Sequence, residues 1–276
     1  MRKLAVAAAL AAVLALLLLG VRAFALHSLE HHTLRAHRQG SRTPAAAGLA
    51  YEALQIKSGP RTLHAFFVPA QEPKAPALLV FHGNGESISG WVAALKVLHD
   101  GGLTAMVFDY SGFGDSDGPA TVENLVSDGP AAWQAFRSRL APGTRACAYG
   151  LSLGSAVLLS QASDLQPPPD CVAVSGSFPS ARAALVRSHR VPAWAAWLLP
   201  DVLDGERGAS RLRAPLLIEH GADDQTFPVE FARRLQAARP DAELVIVPGM
   251  KHADPVTHPS EREWAPIVRF VSATPR

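Results

Sequence analysis

The 276-residue chain has little charge and no internal repeats. Charged residues make up only 18% of it, the formal net charge is +2, and the basic residues are scattered. Such scattered charge offers no basic patch of the kind that binds nucleic acid. Hydrophobic residues reach 48%, a composition that can bury a large core and argues against disorder. The length fits one large α/β domain.

Cysteine is nearly absent, with only Cys147 and Cys171 in the chain. Because no C-x-x-C pair exists, a cysteine zinc site is excluded. Each cysteine lies in a run typical of a buried strand, where a free thiol behaves as a small hydrophobic side chain. We favour two free thiols. A disulfide is the alternative if the protein is exported and the two strands are neighbours. Nothing in the sequence implies a metal or an organic cofactor.

One long apolar run stands at the N-terminus, directly after two basic residues. It covers residues 4–21 without a charge and approaches the roughly 20 residues that a membrane-spanning helix needs. Residues 23–25 (Ala-Phe-Ala) have a small-x-small pattern, so cleavage near Ala25 and export is the alternative. We favour a membrane anchor over residues 1–26, with the following domain outside the cytoplasm, although basic residues flank both ends of the run.

The remaining chain predicts a linker at residues 27–50 and a folded domain at residues 51–276. The domain begins with a hairpin and continues as buried strands that alternate with helices. This order predicts an α/β fold, with a mostly parallel sheet and helices on both faces. The eight predicted strands are residues 51–57, 62–68, 77–82, 103–109, 145–149, 171–174, 214–220 and 243–247.

Residues 176–213 interrupt the alternation of strands and helices. They contain several prolines and no clear strand, so we expect a small cap-like insertion over the site. Trp194 and Trp197 lie within it. These two tryptophans have two interpretations: contacts for a lipid-like substrate, or ordinary core residues beneath the insertion.

Residues 150–154 form a G-x-S-x-G pentapeptide with Ser152 at its centre. A predicted strand runs into the pentapeptide and a predicted helix runs out of it, which is the context of a nucleophile elbow. Gly150 and Gly154 let the backbone turn sharply without a Cβ clash, so the serine hydroxyl is directed outward. The pattern predicts Ser152 as the nucleophile.

A serine hydroxyl needs a base to take its proton, and the base needs a carboxylate to set its tautomer. Both candidates follow Ser152 in the chain, each after a predicted strand. His252 is the candidate base. Acids at the carboxyl end of a strand point into the ligand-binding crevice, and two adjacent aspartates compete for this position. We favour Asp224, with Asp223 as the alternative.

Residues 82–85 (His-Gly-Asn-Gly) follow another buried strand and predict an oxyanion loop. We expect the backbone N–H groups of Asn84 and Leu153 to bind the oxyanion, each contributing on the order of 10²–10³ in rate. His82 is expected to hold the loop, without a role in proton transfer.

These motifs together resemble the α/β-hydrolase superfamily, and within it the Bem46-like, serine-aminopeptidase-like serine hydrolases. The resemblance covers roughly residues 50–272. It implies hydrolysis of an ester, thioester or amide, and an aspartate followed by x-x-apolar-Pro as the acid, which here is Asp224. Family members often have an arginine where this chain has Ser111. The resembling segments are residues 82–85, 109–118, 150–154, 220–228 and 250–252.

Three functions compete at this point. The favoured one is hydrolysis of an acyl ester or thioester, with a small-molecule or lipid-like acyl substrate. The second is a peptidase, whose amine-binding carboxylates would be Asp201, Asp204 and Glu206 in the insertion. The third is a catalytically silent binding protein on the same fold. The sequence leaves the oligomeric state open.

Overall fold

A computed structural model describes residues 2–35, 40–200 and 202–273. Within this part of the chain, eight strands form one sheet, which confirms the predicted fold class. The strands are β1 (Glu52–Ser58), β2 (Arg61–Val68), β3 (Ala77–Phe81), β4 (Thr104–Phe108), β5 (Ala146–Leu151), β6 (Cys171–Ser175), β7 (Leu216–Gly221) and β8 (Glu243–Val247).

The strand order across the sheet is β1-β2-β4-β3-β5-β6-β7-β8. The hairpin strands β1 and β2 are antiparallel, and β2 joins β4 in the same sense. From β4 to β8 every neighbouring pair is parallel. The loops that follow β3, β5, β7 and β8 therefore emerge at one edge of the sheet, where ligand sites of open α/β sheets form.

Helices flank the sheet. The α-helices in the described part of the chain are α1 (Arg2–Thr33), α2 (Val92–Asp100), α3 (Val122–Arg137), α4 (Leu153–Gln161), α5 (Ala181–Arg187), α6 (Gly205–Arg211), α7 (Val229–Ala238), α8 (Asp254–Thr257) and α9 (Glu261–Ser272). Short 3₁₀ helices occupy Pro44–Ala47, Ile88–Trp91, Ala162–Asp164 and Ala193–Leu198. The hydroxyl of Thr121 accepts a bond from the Asn124 N–H at 3.2 Å, so Thr121 is the predicted N-cap of α3.

Both faces of the sheet are buried. Along β3, Leu79 and Phe81 enter an apolar cluster beneath α3 and α4, whereas Leu78 and Val80 enter a second cluster beneath α2 and α9. Alternate side chains of a strand point to opposite faces, so a strand covered on both sides is apolar throughout. This explains why the central strands read as continuous apolar runs.

The two cysteines form a disulfide, so the favoured interpretation of two free thiols is wrong. Cys147 on β5 and Cys171 on β6 are direct partners in the parallel register, with Cα atoms 4.7 Å apart. That spacing lies within the range a disulfide requires. The pairing depends on β5 and β6 being adjacent, which the sequence alone did not reveal.

Two other boundaries differ from expectation. Helix α1 continues past residue 26 to Thr33, so it includes residues that the sequence assigned to a linker. Within residues 176–213, α6 packs on α4 as part of the core. The two helices are so close that a Cβ at Gly208 would lie 2.2 Å from the Leu159 oxygen.

Trp194 and Trp197 are 78% and 62% exposed, so the interpretation of them as core residues is wrong.

Candidate active site

The turn between β5 and α4 presents Ser152. The residue has φ 51° and ψ −115°, in the region that L-residues rarely adopt. Its neighbours must be small: a Cβ at Gly154 would lie 2.0 Å from the Phe81 oxygen, and one at Gly150 would lie 2.6 Å from the Gly154 oxygen. The Ser152 N–H donates to the Ser175 oxygen at 3.0 Å, which ties the strained turn to β6.

The loops after β7 and β8 bring Asp224 and His252 to this turn. The Nε2 atom of His252 lies 2.9 Å from the Ser152 Oγ, and its Nδ1 lies 2.7 Å from the Asp224 Oδ2. The His252 ring also packs edge-on against Phe227 and close to Gly176, where a Cβ would lie 3.1 Å from the ring. Serine, histidine and aspartate thus form one continuous hydrogen-bonded chain.

The carboxylate of Asp224 is held in its ionised form. Burial by itself raises the pKa of Asp224, but the hydrogen bond and charge of His252, together with the Phe227 N–H, outweigh burial and lower this pKa. Its Oδ1 accepts from the N–H groups of Thr226 and Phe227, both at 2.8 Å. An ionised carboxylate only accepts, so Nδ1 of His252 donates, and Nε2 is left to accept the Ser152 proton.

The neighbouring aspartate has a different environment. Asp223 is exposed to solvent, and its backbone N–H donates to the Met250 oxygen. The structure therefore brings the side chain of Asp224, the favoured candidate, against His252.

The loop after β3 reaches the cleft through Asn84. Leu153 is the first residue of α4, where the backbone N–H has no acceptor within the helix. Asn84 and Leu153 both line the cleft beside Ser152. The side chain of Asn84 makes two hydrogen bonds that the sequence did not suggest. It accepts from the Arg35 N–H at 2.8 Å and donates to the Thr33 oxygen at 2.7 Å.

His82, the first residue of this loop, is completely buried. Its Nδ1 donates to the Gly83 oxygen at 2.8 Å, and its Nε2 lies 3.3 Å from the Asp109 Oδ1. Burial lowers the pKa of His82, but the carboxylates of Asp109 and Glu86 outweigh burial and raise it overall. The ring thus links the loop to the end of β4, in keeping with a structural role.

The position of Ser111 also differs from the family pattern. Arg61 on β2 supplies a guanidinium here, since its Nε donates to the Ser111 Oγ at 2.7 Å and its Nη2 lies 3.1 Å from the Asp128 carboxylate. Arg61, Ser111 and Asp128 are not among the residues that line the cleft.

A cleft of about 340 Å³ opens above Ser152. Most of its wall is apolar, as is typical of small-molecule sites. Its apolar lining residues are Leu34, Val122, Leu153, Phe178, Ala181, Ala184, Leu185, Val202, Leu203 and Phe227. Its polar lining residues are Glu30, Thr33, Asn84, Ser152, Ser188, Arg190, Thr226 and His252.

We call the loops after β5, β7 and β8 the floor of the cleft, and the end of α1 with residues 176–213 its roof. In the roof, Arg190 donates to the His32 oxygen at 3.0 Å, and Glu30 accepts from the Val122 N–H at 2.7 Å. The sequence did not reveal this contribution of α1, because an apolar N-terminal run gives no signal of where its end will dock.

Of the carboxylates expected to bind a substrate amine, Asp204 and Glu206 are not among the described residues that line the cleft. Asp204 caps α6 by accepting from the Arg207 N–H, and Glu206 pairs with Arg234 at 2.9 Å. Asp201 lies outside the described residues. Among the residues described, no group of three histidine, cysteine or acidic side chains is arranged to hold a metal ion.

Known proteins resemble this chain along most of its length. Residues 71–206 match the family model described as serine aminopeptidase, S33. An uncharacterized Mycobacterium tuberculosis protein, Rv2307c, is 31% identical over 225 residues, which cover 80% of this chain and 78% of that protein.

Two vertebrate proteins match a shorter part of the chain. Human protein ABHD12B is 31% identical over 58% of this chain and 49% of its own length. The zebrafish protein named lysophosphatidylserine lipase ABHD12 is 28% identical over 58% of this chain and 46% of its own length. The chain thus spans about half the length of these two relatives.

Solved structures share the fold. The Pyrococcus furiosus esterase Pf2001 superposes with a TM-score of 0.69 at 18% identity, over 87% of this chain and 97% of that one.

Proposed function

Because this chain belongs to the α/β-hydrolase superfamily, in its serine-aminopeptidase-like subgroup, we propose that it hydrolyses an acyl ester or thioester through Ser152, His252 and Asp224. The hydrogen-bonded chain from Ser152 Oγ through His252 to Asp224, at the base of an apolar cleft, carries the proposal.

The reaction begins when Nε2 of His252 takes the Ser152 proton and Oγ attacks the substrate carbonyl. The carbonyl oxygen becomes negative in the tetrahedral intermediate, and the backbone N–H groups of Asn84 and Leu153 donate to it. The intermediate collapses, the bond to the leaving oxygen or sulfur breaks, and His252 protonates the leaving group. An acyl-enzyme on Ser152 remains.

Water then completes the cycle. His252 takes a proton from a water molecule, the hydroxide attacks the acyl carbonyl, and the Ser152 oxygen leaves with the proton that His252 returns. The free acid departs. Throughout both halves, the ionised Asp224 holds the ring orientation and stabilises the imidazolium that forms.

A lipid-like acyl chain is the substrate we favour. The apolar wall of the cleft suits such a chain, and the name of the zebrafish relative describes a lysophosphatidylserine lipase. The peptidase alternative has weaker support, since Asp204 and Glu206 are engaged elsewhere. The observation that favours the peptidase is Glu30, whose carboxylate belongs to a residue lining the cleft.

A fluorophosphonate probe tests the nucleophile. We expect wild type to be labelled and Ser152→Ala to remain unlabelled. Ser188→Ala is the matched control, because Ser188 lines the same cleft but its hydroxyl donates to the Leu185 oxygen. Labelling of Ser152→Ala would place the reactive nucleophile at another residue, whereas no labelling of folded wild type would support a silent protein. A panel of p-nitrophenyl esters of increasing chain length, beside aminoacyl amides, then separates esterase from peptidase.

We also propose that α1 anchors the protein in a membrane, with the domain outside the cytoplasm. The helix is long and apolar enough to span a bilayer, and it runs without a break through Ala25, where cleavage would otherwise fall. The Cys147–Cys171 disulfide suits an oxidising compartment. Sequencing the N-terminus of the membrane fraction tests the anchor. A start after Ala25 would show an exported, cleaved protein.

A further inference from the structure

Two tryptophans in the roof are unusual for a protein surface. Among the residues described, the strongly exposed large apolar side chains belong either to α1 or to the pair Trp194 and Trp197. The pair lies on the 3₁₀ helix Ala193–Leu198. Residues three apart share one face of a 3₁₀ helix, so both rings lie on the same side.

This 3₁₀ helix is attached to α1 where the apolar run ends. Arg22 is the first charged residue after residues 4–21, and its Nη2 donates to the Leu199 oxygen at 3.3 Å. An arginine at this position marks the level where a spanning helix leaves the hydrocarbon. Trp197 is two residues from Leu199, so the tryptophan pair lies beside that level.

The segment around the pair has the charge of a membrane-binding surface. Residues 181–200 contain three arginines and one histidine but no aspartate or glutamate. Arg187 is exposed, whereas Arg190 lines the cleft and donates to the His32 oxygen. Tryptophan is enriched where a membrane meets water, and arginines near an anionic leaflet add attraction.

We propose that Trp194 and Trp197 insert into the interface of a lipid bilayer and hold the roof of the cleft against the membrane. This inference rests on the proposal that α1 is a retained span. It adds that the roof itself binds lipid. From Arg22, α1 continues eight residues to Glu30 at the cleft, which is about 12 Å along the helix axis. The cleft would therefore lie close above the bilayer and receive single-chain amphiphiles that rise from it.

Intrinsic fluorescence provides the test, because the other three tryptophans, Trp91, Trp133 and Trp264, are fully buried. The full chain is placed, one copy per disc, in nanodiscs of phosphatidylcholine and phosphatidylglycerol. The phosphatidylcholine is brominated near the glycerol backbone. We expect the bromolipid to quench part of the wild-type emission. In the double variant Trp194→Phe/Trp197→Phe we expect that quenched part to be absent.

Other outcomes would overturn the inference. Emission that bromolipid leaves unchanged but aqueous acrylamide quenches would place both rings in water. Shielding that occurs only in discs with several copies would indicate contact with a second copy of the chain. A chain that does not enter bilayers at all would overturn both the anchor and the docking surface.

Activity gives a second readout. Trp194→Ser/Trp197→Ser should hydrolyse a long-chain ester held in vesicles about tenfold more slowly than Trp194→Phe/Trp197→Phe, which keeps the apolar rings. Both variants should hydrolyse a soluble short-chain ester equally. Equal rates on the vesicle substrate would contradict the inference. If no variant cleaves even the soluble ester, the proposed hydrolysis fails, while the quenching result still decides the docking.

Discussion

The floor of the cleft and its roof are built from different kinds of contact. The floor is made of short loops at the ends of buried parallel strands. Its side chains bond to each other and to nearby backbone N–H groups, mostly through partly buried hydrogen bonds. The roof is held by exposed hydrogen bonds, such as those that the end of α1 accepts from Arg190 of residues 176–213 and from Asn84 of the loop after β3. Hydrogen bonds that are shielded from water, even in part, hold a geometry more rigidly than exposed hydrogen bonds, which compete with water. Changes in the floor should therefore have larger effects than changes in the roof.

The largest effect is expected from the acid of the floor. Asp224→Asn should lower kcat by roughly 10³–10⁴, because the amide no longer fixes the tautomer that leaves Nε2 of His252 free to accept. Asp223→Asn is the matched control and should stay close to wild type, since Asp223 is exposed. Steady-state kinetics on a p-nitrophenyl ester measures both. Equal losses in the two variants would show that the carboxylate facing His252 is not the functional acid.

Next in size is the loss of the disulfide that links β6 to β5, the strand that leads to Ser152. Cys147→Ala/Cys171→Ala should lower the free energy of unfolding by about 3 kcal/mol. The disulfide joins residues with a sequence separation of 24 and so restricts the unfolded chain, and this restriction is lost in the variant. Denaturant titration of both proteins under oxidising conditions measures the difference. An unchanged midpoint would mean that the cross-link adds nothing to stability.

The buried Glu219 on β7, the strand that leads to Asp224, should make stability depend on pH. Burial raises the pKa of Glu219 to about 8, and the hydroxyl of Ser175 donates to its carboxyl group at 3.0 Å. Between its ordinary pKa of 4.5 and about 8, the folded protein keeps the proton that the unfolded chain has lost. The free energy of unfolding must therefore fall as pH rises through this window.

Glu219→Gln removes the titrating group and should flatten that pH dependence. Thermal unfolding at a series of pH values between 5 and 8 gives the slope for each protein. A slope that persists unchanged in Glu219→Gln would assign it to other groups. Above about pH 8 the loss in wild type should level off, because both states are then ionised.

The smallest effect is expected at the contact between Asn84 and the roof. Asn84→Ala removes the two bonds to the end of α1 but keeps the backbone N–H, so kcat should fall about tenfold or less, in line with roughly 1 kcal/mol for an exposed hydrogen bond. Asn124→Ala is the control, because its exposed amide also donates to a backbone oxygen, that of Pro119, away from the cleft. A loss as large as that of Asp224→Asn would show that roof and floor are equally rigid.

The sequence predicted the floor well for a physical reason. Apolar runs buried on both faces mark parallel strands, and the strands β1 to β8 lie within about two residues of the predicted ones. In such a sheet, the polar residues that follow parallel strands must meet at one edge. Local pattern alone therefore predicted that Ser152, His252 and one of the adjacent aspartates Asp223 and Asp224 would meet.

The roof could not be predicted in the same way. Residues 176–213 have no simple period, and their helices α5 and α6 are too short to show one. The continuation of α1 to Thr33 and its docking on Asn84 depend on contacts between residues about 50 positions apart. The two tryptophans illustrate the same limit, since their residue type suits a core and a membrane interface equally well.

By itself, the sequence determined the order of strands and helices, the sharp turn at Ser152 and the candidate acid and base, because each depends on neighbours in the chain or on one periodic pattern. Only the tertiary structure decided that Cys147 faces Cys171, that Asp224 rather than Asp223 reaches His252, and that α1 ends over the cleft. Those outcomes depend on which strands are adjacent and on where a helix docks. Such long-range placement is set by packing over the whole domain, not by any local stretch of residues.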